Sequence, residues 1–208
     1  MTGTATLDKT ATVTVGAFRW KTAFTPLSAR VAELVRSDPA YGHRAAVDCA
    51  GMPGPDRPVR WAMTDYGMVV RAASAGPAST SCQELFDGPE VAATRLADGD
   101  RVTFSLLAVP ERCVQTEDGW RRRDRGRRVP ITDQGEVDSW LRDRLMGLDD
   151  VDIERFSLEA LWSQELNHLW HAVRVRASAT VKDPAAVSAL MVGRSRAYGF
   201  GMPVFGPA

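Results

Sequence analysis

Hydrophobic and polar residues alternate along several stretches of the chain, and this pattern predicts β-strands. The alternation is weak over residues 11–19 and strict over His171–Val181, where valine and alanine face one way and mainly arginine, serine and threonine the other. Val102–Val109 is a further predicted strand. Val59–Met63 and Met68–Ala72 flank a Thr-Asp-Tyr-Gly turn and predict a β-hairpin.

Capping residues followed by apolar positions at helical spacing predict three helices. Thr25 precedes a proline, which favours a helix start at that point. Asp133, three residues before a glutamate, resembles a capping box, and the helix after it is expected to end at Gly147. Asp183 precedes a proline and a short helix that ends at Gly193. The residues expected on the buried faces of the first two helices are Leu27, Val31, Leu34, Val35, Val137, Trp140, Leu141 and Leu145.

Strands and helices in this order predict an α+β fold of two tandem ferredoxin-like (RRM-like) domains. Each domain would have an antiparallel sheet with helices on one face. We expect the domains to be residues 1–97 and 98–208. Residues 49–58 and 75–81 are predicted loops, and the segment from there to Asp100 is predicted to be a connection with weak structural signals.

Composition excludes several classes of function. The formal net charge is +0, so any nucleic acid must be bound by a local basic patch. Cys49, Cys82 and Cys113 are odd in number and lack Cys-x-x-Cys spacing, so neither a disulfide framework nor a zinc site is expected. His168 and His171 would share a helix face, but no third ligand is nearby, and no metal site is expected.

No apolar run approaches the roughly 20 residues of a membrane span, and no signal peptide is evident, so a cytoplasmic protein is expected.

A run of arginines is the first candidate for nucleic-acid binding. Residues 120–128 hold six arginines against one aspartate. The position of the run between two predicted strands favours a basic hairpin that follows an RNA backbone, although most charge runs are solvated loops. The arginines of this run are Arg121, Arg122, Arg123, Arg125, Arg127 and Arg128.

The segment Gly193–Gly201 is the second candidate. Its glycines permit positive φ and a close approach to a ligand, while its arginines can pair with phosphate. It lacks the Gly-Lys-Ser/Thr of a mononucleotide P-loop, and it opens no helix after a strand, which excludes a dinucleotide site. RNA is therefore the expected ligand. The predicted RNA-binding residues here are Gly193, Arg194, Arg196, Tyr198, Gly199 and Gly201.

These features together resemble the CasE family, the CRISPR repeat-RNA endoribonucleases of the type I-E Cascade complex. The resemblance covers roughly residues 100–208 and is most specific in the terminal glycine segment. It also includes the strand–Asp-Pro–helix before that segment, the arginine run leading into Arg127–Ile131, and the helix with Trp140 and Leu141. In the first half of the chain the resemblance is limited to Pro39–Arg44, which looks like the Pro-x-x-x-His stretch that carries the family's catalytic histidine.

The chain departs from the family's pattern in three places. Its first predicted strand begins about ten residues into the chain rather than at the first residue. Phe104–Pro110 lacks the arginines of the corresponding family strand. Gly42, directly before the candidate histidine, is a poor helix former.

The resemblance implies metal-independent cleavage of a repeat hairpin without a cofactor. Attack by the 2′-hydroxyl would leave a 2′,3′-cyclic phosphate and a 5′-hydroxyl. His43 would transfer protons, Arg44 would stabilise the phosphorane, and Tyr41 would position the nucleotide. The implied partners are a CRISPR repeat RNA stem-loop and other Cascade subunits, without a membrane. Two alternatives stay open: a repeat-RNA binding subunit that does not cleave, and an unrelated ferredoxin-like regulatory domain with solvated arginines.

Overall fold

The computed structural model describes residues 10–51, 59–71, 80–114 and 127–206, and it contains two four-stranded antiparallel sheets. The strands are β1 (Thr10–Arg19), β2 (Arg60–Thr64), β3 (Gly67–Arg71), β4 (Glu90–Ala97), β5 (Arg101–Ala108), β6 (Glu111–Val114), β7 (Arg127–Pro130), β8 (Leu148–Ser163), β9 (His168–Val181) and β10 (Val204–Gly206). The helices are α1 (Pro26–Ser37), α2 (Pro39–Cys49), α3 (Thr80–Leu85), α4 (Gln134–Arg142) and α5 (Pro184–Ala189), with a 3-10 turn at Arg196–Tyr198. The predicted α+β class with antiparallel sheets is confirmed.

The first sheet has the strand order β2-β3-β1-β4, and one of its faces packs on α1, α2 and α3. Phe18, Trp61 and Val70 lie on that face within the buried cluster. The predicted start of α1 is confirmed, since the Thr25 side chain accepts a hydrogen bond from the backbone N–H of Ser28. Leu27 was predicted to be buried but is 74% exposed, because the helix turns this first-turn residue toward solvent.

The second sheet has the order β10-β5-β9-β8, and α4 packs on its buried face. The predicted alternation along β9 is confirmed: every second side chain from 173 to 181 is at most 1% exposed. Asp133 caps α4, as predicted, by accepting from the N–H of Glu136 at 2.9 Å. Asp183 caps α5 through the N–H groups of Ala185 and Ala186.

The two sheets pack together through a shared core. Val13 and Leu96 of the first sheet belong to the same buried cluster as β5, β9 and α4. Ala62 and Val69 pack against Met191 and Met202 of the C-terminal segment. The proposed domains 1–97 and 98–208 remain a prediction, since this core joins residues from both.

Two strands of eight or more residues were not predicted. The segment before Asp100, expected to be a connection, contains α3 and β4, and β4 buries only Leu96 fully, so its sequence carries no clear alternation. β8 is 16 residues long, yet only its first and last residues are buried. Backbone pairing with β9 fixes this strand, and such pairing leaves little mark on the sequence.

The expectation of no disulfide is wrong. Cys49 at the end of α2 and Cys82 in α3 form a disulfide, with their Cα atoms 5.2 Å apart. Cys113 is exposed and does not take part. The bonded cysteines are 33 positions apart, with β2 and β3 between them, which is why spacing rules did not reveal the pair. In the described part of the chain, no helix is both long and apolar enough to cross a membrane.

Candidate active site

Helix α2 carries His43 and is fixed at its N-terminus by Asp38. One carboxylate oxygen of Asp38 accepts from the N–H of Ala40 at 2.8 Å, which caps the helix. The other accepts from the N–H of Gln164 at 3.1 Å, in the turn between β8 and β9. Asp38 is only 5% exposed. One buried carboxylate therefore joins the helix of the first half to a hairpin of the second.

His43 lies beside aromatic side chains from the second half of the chain. Its ring meets Tyr198 edge to face, with 5.8 Å between ring centroids. Tyr198 in turn lies 5.2 Å from the ring of Trp170, whose indole N–H donates to the hydroxyl of Ser195 at 3.2 Å. Nδ1 of His43 is buried without a hydrogen-bond partner. The structure thus brings together two predicted site residues, His43 and Tyr198, that are far apart in sequence.

Trp61 of β2 holds the two sides of this site together. Its indole N–H donates to the carbonyl of Ala197 at 2.8 Å. A Cβ at Gly42 would contact the ring of Trp61, and a Cβ at Gly199 would lie 2.6 Å from the same ring. The Gly42 departure from the family's pattern therefore has a physical reason: α2 can approach Trp61 only without a side chain at this position.

The glycines of Gly193–Gly201 adopt the positive φ that the sequence predicted. The φ angles are 74° at Gly193, 81° at Gly199 and 84° at Gly201. A Cβ at Gly193 would lie 2.9 Å from Trp140, and one at Gly201 would contact the Val192 carbonyl. Packing of the protein itself therefore requires these glycines. Their role in RNA binding remains a prediction.

The two arginines of this segment differ in their surroundings. The Nε of Arg196 donates to the Gly193 carbonyl at 3.0 Å, and one of its terminal nitrogens donates to the Met191 carbonyl at 3.3 Å. Arg194 is exposed and forms no salt bridge with a described residue. Both side chains are positively charged and exposed.

Tyr41 and Arg44 lie on a different face of α2 from His43. The Arg44 guanidinium stacks 4.2 Å above the centre of the Tyr41 ring and pairs with Glu165 at 2.6 Å. Both residues line a small cavity between α1, α2 and α3. His43 is not among the residues lining that cavity. Their proposed roles with His43 remain predictions.

Only part of the arginine run is described. Arg127 and Arg128 are exposed on β7, which pairs with β6 in a short hairpin. Arg128 lies 3.7 Å from Glu111. Arg121, Arg122, Arg123 and Arg125 lie outside the described residues.

The remaining candidates differ from expectation. His168 and His171 lie on β9 rather than on a helix, so they face opposite sides of the sheet. Among the described residues, no group of three or more histidine, cysteine or acidic side chains is placed to hold a metal ion. Arg174 and Arg176 of β9 pair with Glu159 at 2.6 Å and Glu154 at 3.3 Å.

A sequence profile of the family described as "CRISPR associated protein" matches residues 73–204, more than half of the chain. The chain belongs to this family. No curated protein sequence is similar enough to match. The match includes the arginine run and the glycine segment, and it begins after α2, so it does not include His43.

Solved structures of CRISPR proteins share the fold of this family member. CRISPR endoribonuclease Cse3 bound to a 19-nucleotide RNA has a TM-score of 0.68 at 19% identity, covering 95% of this chain and 99% of that one. Cas6e from Escherichia coli K-12 has a TM-score of 0.59 at 16% identity, covering 95% and 99%. A chain of a CRISPR RNA-guided surveillance complex has a TM-score of 0.59 at 14% identity, covering 93% and 98%. These likenesses establish the tandem ferredoxin-like fold, and with the family match they confirm the predicted resemblance to CasE.

Several residues of the site were not predicted from the sequence. Trp61, Asp38 and Glu165 each contact a residue on α2 or beside it, and none stands in a recognisable motif. Asp38 did carry a signal, because an aspartate before a proline resembles the caps recognised at Thr25 and Asp183.

Proposed function

We propose that this CRISPR-associated protein is an endoribonuclease that cleaves repeat hairpins in precursor RNA. The observation that carries the proposal is the position of His43, held by Asp38 and Trp61 against Tyr198 of the glycine segment. A histidine at the junction of both halves, beside a basic C-terminal segment, suits the cutting of an RNA that lies across them. The shared fold with an RNA-bound Cse3 supports the same function.

The chemistry needs two proton transfers and stabilisation of negative charge. The 2′-hydroxyl attacks the adjacent phosphorus and loses its proton, the P–O5′ bond breaks, and the departing 5′-oxygen gains a proton. The products are a 2′,3′-cyclic phosphate and a 5′-hydroxyl. His43 serves as a proton-transfer group, since imidazole titrates near neutral pH. Its Nδ1 is buried without a hydrogen-bond partner, so Nε2 would be the nitrogen that exchanges protons with the RNA.

The nucleophile belongs to the RNA and the proton carriers are side chains, so the proposed reaction uses no metal ion. Arg44 would stabilise the phosphorane, and this requires the guanidinium to exchange its present partner, Glu165, for phosphate. Tyr41, beneath Arg44, would then help to position the nucleotide.

The hairpin stem would be held through its backbone by the arginine run and the glycine segment. Double-stranded RNA hides its base edges in a deep groove, so basic side chains recognise its shape and phosphates. We further propose that the protein keeps the cleaved stem-loop and joins other Cascade subunits in the cytoplasm. The similarity to a chain of a surveillance complex supports this assembly.

Incubation of a repeat hairpin with purified protein in excess EDTA tests the proposal. We expect one cut and a product whose 3′ end resists phosphatase until acid opens the cyclic phosphate. Binding without any cut would favour the non-cleaving alternative. Absence of both binding and cutting would favour the second alternative, a ferredoxin-like regulatory domain unrelated to repeat RNA.

A further inference from the structure

Two arginines face each other across the hairpin of the first sheet. Arg60 of β2 and Arg71 of β3 are direct partners in the antiparallel register. Like charges directly opposite each other destabilise a sheet. Two residues along each strand, Ala62 and Val69 pack against Met191, so this pair lies on the sheet face turned toward the C-terminal segment.

The guanidinium of Arg71 is buried and only partly satisfied. One terminal nitrogen donates to the Ser188 carbonyl at 2.8 Å, whereas Nε and the other terminal nitrogen are buried without a partner. Burial, and secondarily the charge of Arg60, hold the pKa of Arg71 below its usual value. Buried donors without acceptors are costly, and a buried charge without a counter-charge more so.

A third guanidinium lies at the same C-terminal segment. Arg196 donates to the carbonyl of Met191, three residues after the Ser188 carbonyl that holds Arg71. None of Arg60, Arg71 and Arg196 forms a salt bridge within the described part of the chain, whereas Arg174 and Arg176 on the other sheet are both paired. Among the described residues, the positive charge at this junction therefore has no counter-charge.

We propose that Arg60, Arg71 and Arg196 form a phosphate-binding site at the junction of the two sheets. Arg60 and Arg196, which reach solvent, donate hydrogen bonds to the phosphate. The buried guanidinium of Arg71 attracts the phosphate through its positive charge. The site takes a backbone phosphate of the bound RNA, an assignment that rests on the proposed function. Arg196 lies two residues before Tyr198, whose ring meets His43, so this arginine connects the proposed phosphate site to the candidate active site.

Thermal unfolding with tripolyphosphate tests the site without RNA. At equal ionic strength, we expect tripolyphosphate to raise the unfolding temperature of the wild type above its value in chloride, because a ligand of the folded state stabilises it. Arg60→Gln should retain less than about half of that rise, and Arg60→Lys most of it. Arg30→Gln on α1, an exposed arginine without a salt bridge to a described residue, should behave like wild type.

Arg60→Gln also removes the cross-strand repulsion, so in chloride it should unfold at a temperature no lower than that of wild type. Equal tripolyphosphate shifts in Arg60→Gln and Arg30→Gln would overturn the site. So would a loss of stability in chloride with the shift intact, because Arg60 would then be a structural residue.

Measurement of RNA affinity distinguishes a site for an RNA backbone phosphate from a site for a free oligophosphate. Arg60→Gln should lower the slope of log affinity against log salt by about one, and Arg30→Gln should leave it unchanged. A normal slope in Arg60→Gln would overturn the RNA assignment. Since the tripolyphosphate measurement involves no cleavage, failure of the proposed endonuclease activity would be recognised separately.

Discussion

The ring of Trp61 fills the space that a side chain at Gly42 would occupy. A Cβ built on Gly42 would contact Cη2 of Trp61, and Cζ2 and Cζ3 would lie 3.1 Å away. The same ring also excludes a side chain at Gly199. The residue before His43 is therefore glycine because a tryptophan from the sheet passes between α2 and the C-terminal segment.

Gly42→Ala should destabilise the protein and displace His43. Overpacking a dense site costs about 1–3 kcal/mol, and alanine's better helix propensity offsets only part of this. Denaturant unfolding measures the loss, and the cleavage rate should fall with it. Gly135→Ala is a matched control in α4, where the nearest atom is a carboxylate oxygen at 3.4 Å. It should raise stability by about 0.5–1 kcal/mol. Equal stability of Gly42→Ala and wild type would contradict the packing described.

In the glycine segment, we expect Gly199 to be a structural residue and Arg196 to be an RNA-binding residue. Gly199→Ala adds a side chain at a φ of 81° and against Trp61, so it should cost about 2 kcal/mol or more. Arg196→Ala removes two hydrogen bonds to backbone carbonyls, one exposed and one partly buried, so it should cost less than about 1 kcal/mol. It should also weaken RNA binding about tenfold. Thermal unfolding measures the stability of each variant, and a hairpin-binding assay measures its RNA affinity. If Arg196→Ala binds the hairpin as tightly as wild type, the RNA does not bind at this arginine.

Local signals predicted the elements whose ends or faces are set by nearby residues. The caps at Thr25, Asp133 and Asp183 act within three residues, and β9 alternates because it is central in its sheet and one of its faces is fully buried. β8 pairs with β9 over its whole length but is largely exposed on both faces. Its charges are therefore tolerated. Apolar and polar residues do alternate from Val151 to Ala160, but irregular pairing between Ile153 and Arg155 shifts the phase, so no single alternation runs along the strand.

The site was predictable residue by residue but not as an arrangement. His43 followed from a family resemblance, and Tyr198 from its place among glycines and arginines. Their contact depends on Trp61 and on the packing of the two sheets, and neither has a sequence signature. The Cys49–Cys82 bond was missed for the same reason, since it depends on how α2 and α3 meet.

Reduction of the Cys49–Cys82 disulfide should destabilise the first half of the chain. The bonded residues are separated by 33 positions, and closing a loop of that size contributes about 3–4 kcal/mol. Thermal unfolding of Cys113→Ser with and without reductant measures the loss, because this variant lacks the exposed third thiol. Thiol titration of unreduced wild type in denaturant should find one reactive group. Three reactive groups would contradict the bond.

The arginine run should bind phosphate rather than bases. Replacing Arg121, Arg122 and Arg123 with alanine should weaken binding to all hairpins of similar shape. It should also lower the salt slope, by somewhat under one per lost contact. Arg174→Ala with Arg176→Ala is a control in which the arginines already have carboxylate partners, and its slope should change less. Equal slopes in wild type and the triple variant would identify the run as a solvated loop.

The most direct test of the account is the single-turnover cleavage of a repeat hairpin by His43→Ala in EDTA. Nδ1 of His43 has no hydrogen-bond partner, so the variant should keep its fold and bind the hairpin within about tenfold of wild type, or ~1.4 kcal/mol. His171→Ala is the control, since this exposed histidine of β9 lies outside the site. We expect no cleavage by His43→Ala and wild-type cleavage by His171→Ala. Undiminished cleavage by His43→Ala, or cleavage that appears only with a divalent metal, would contradict it.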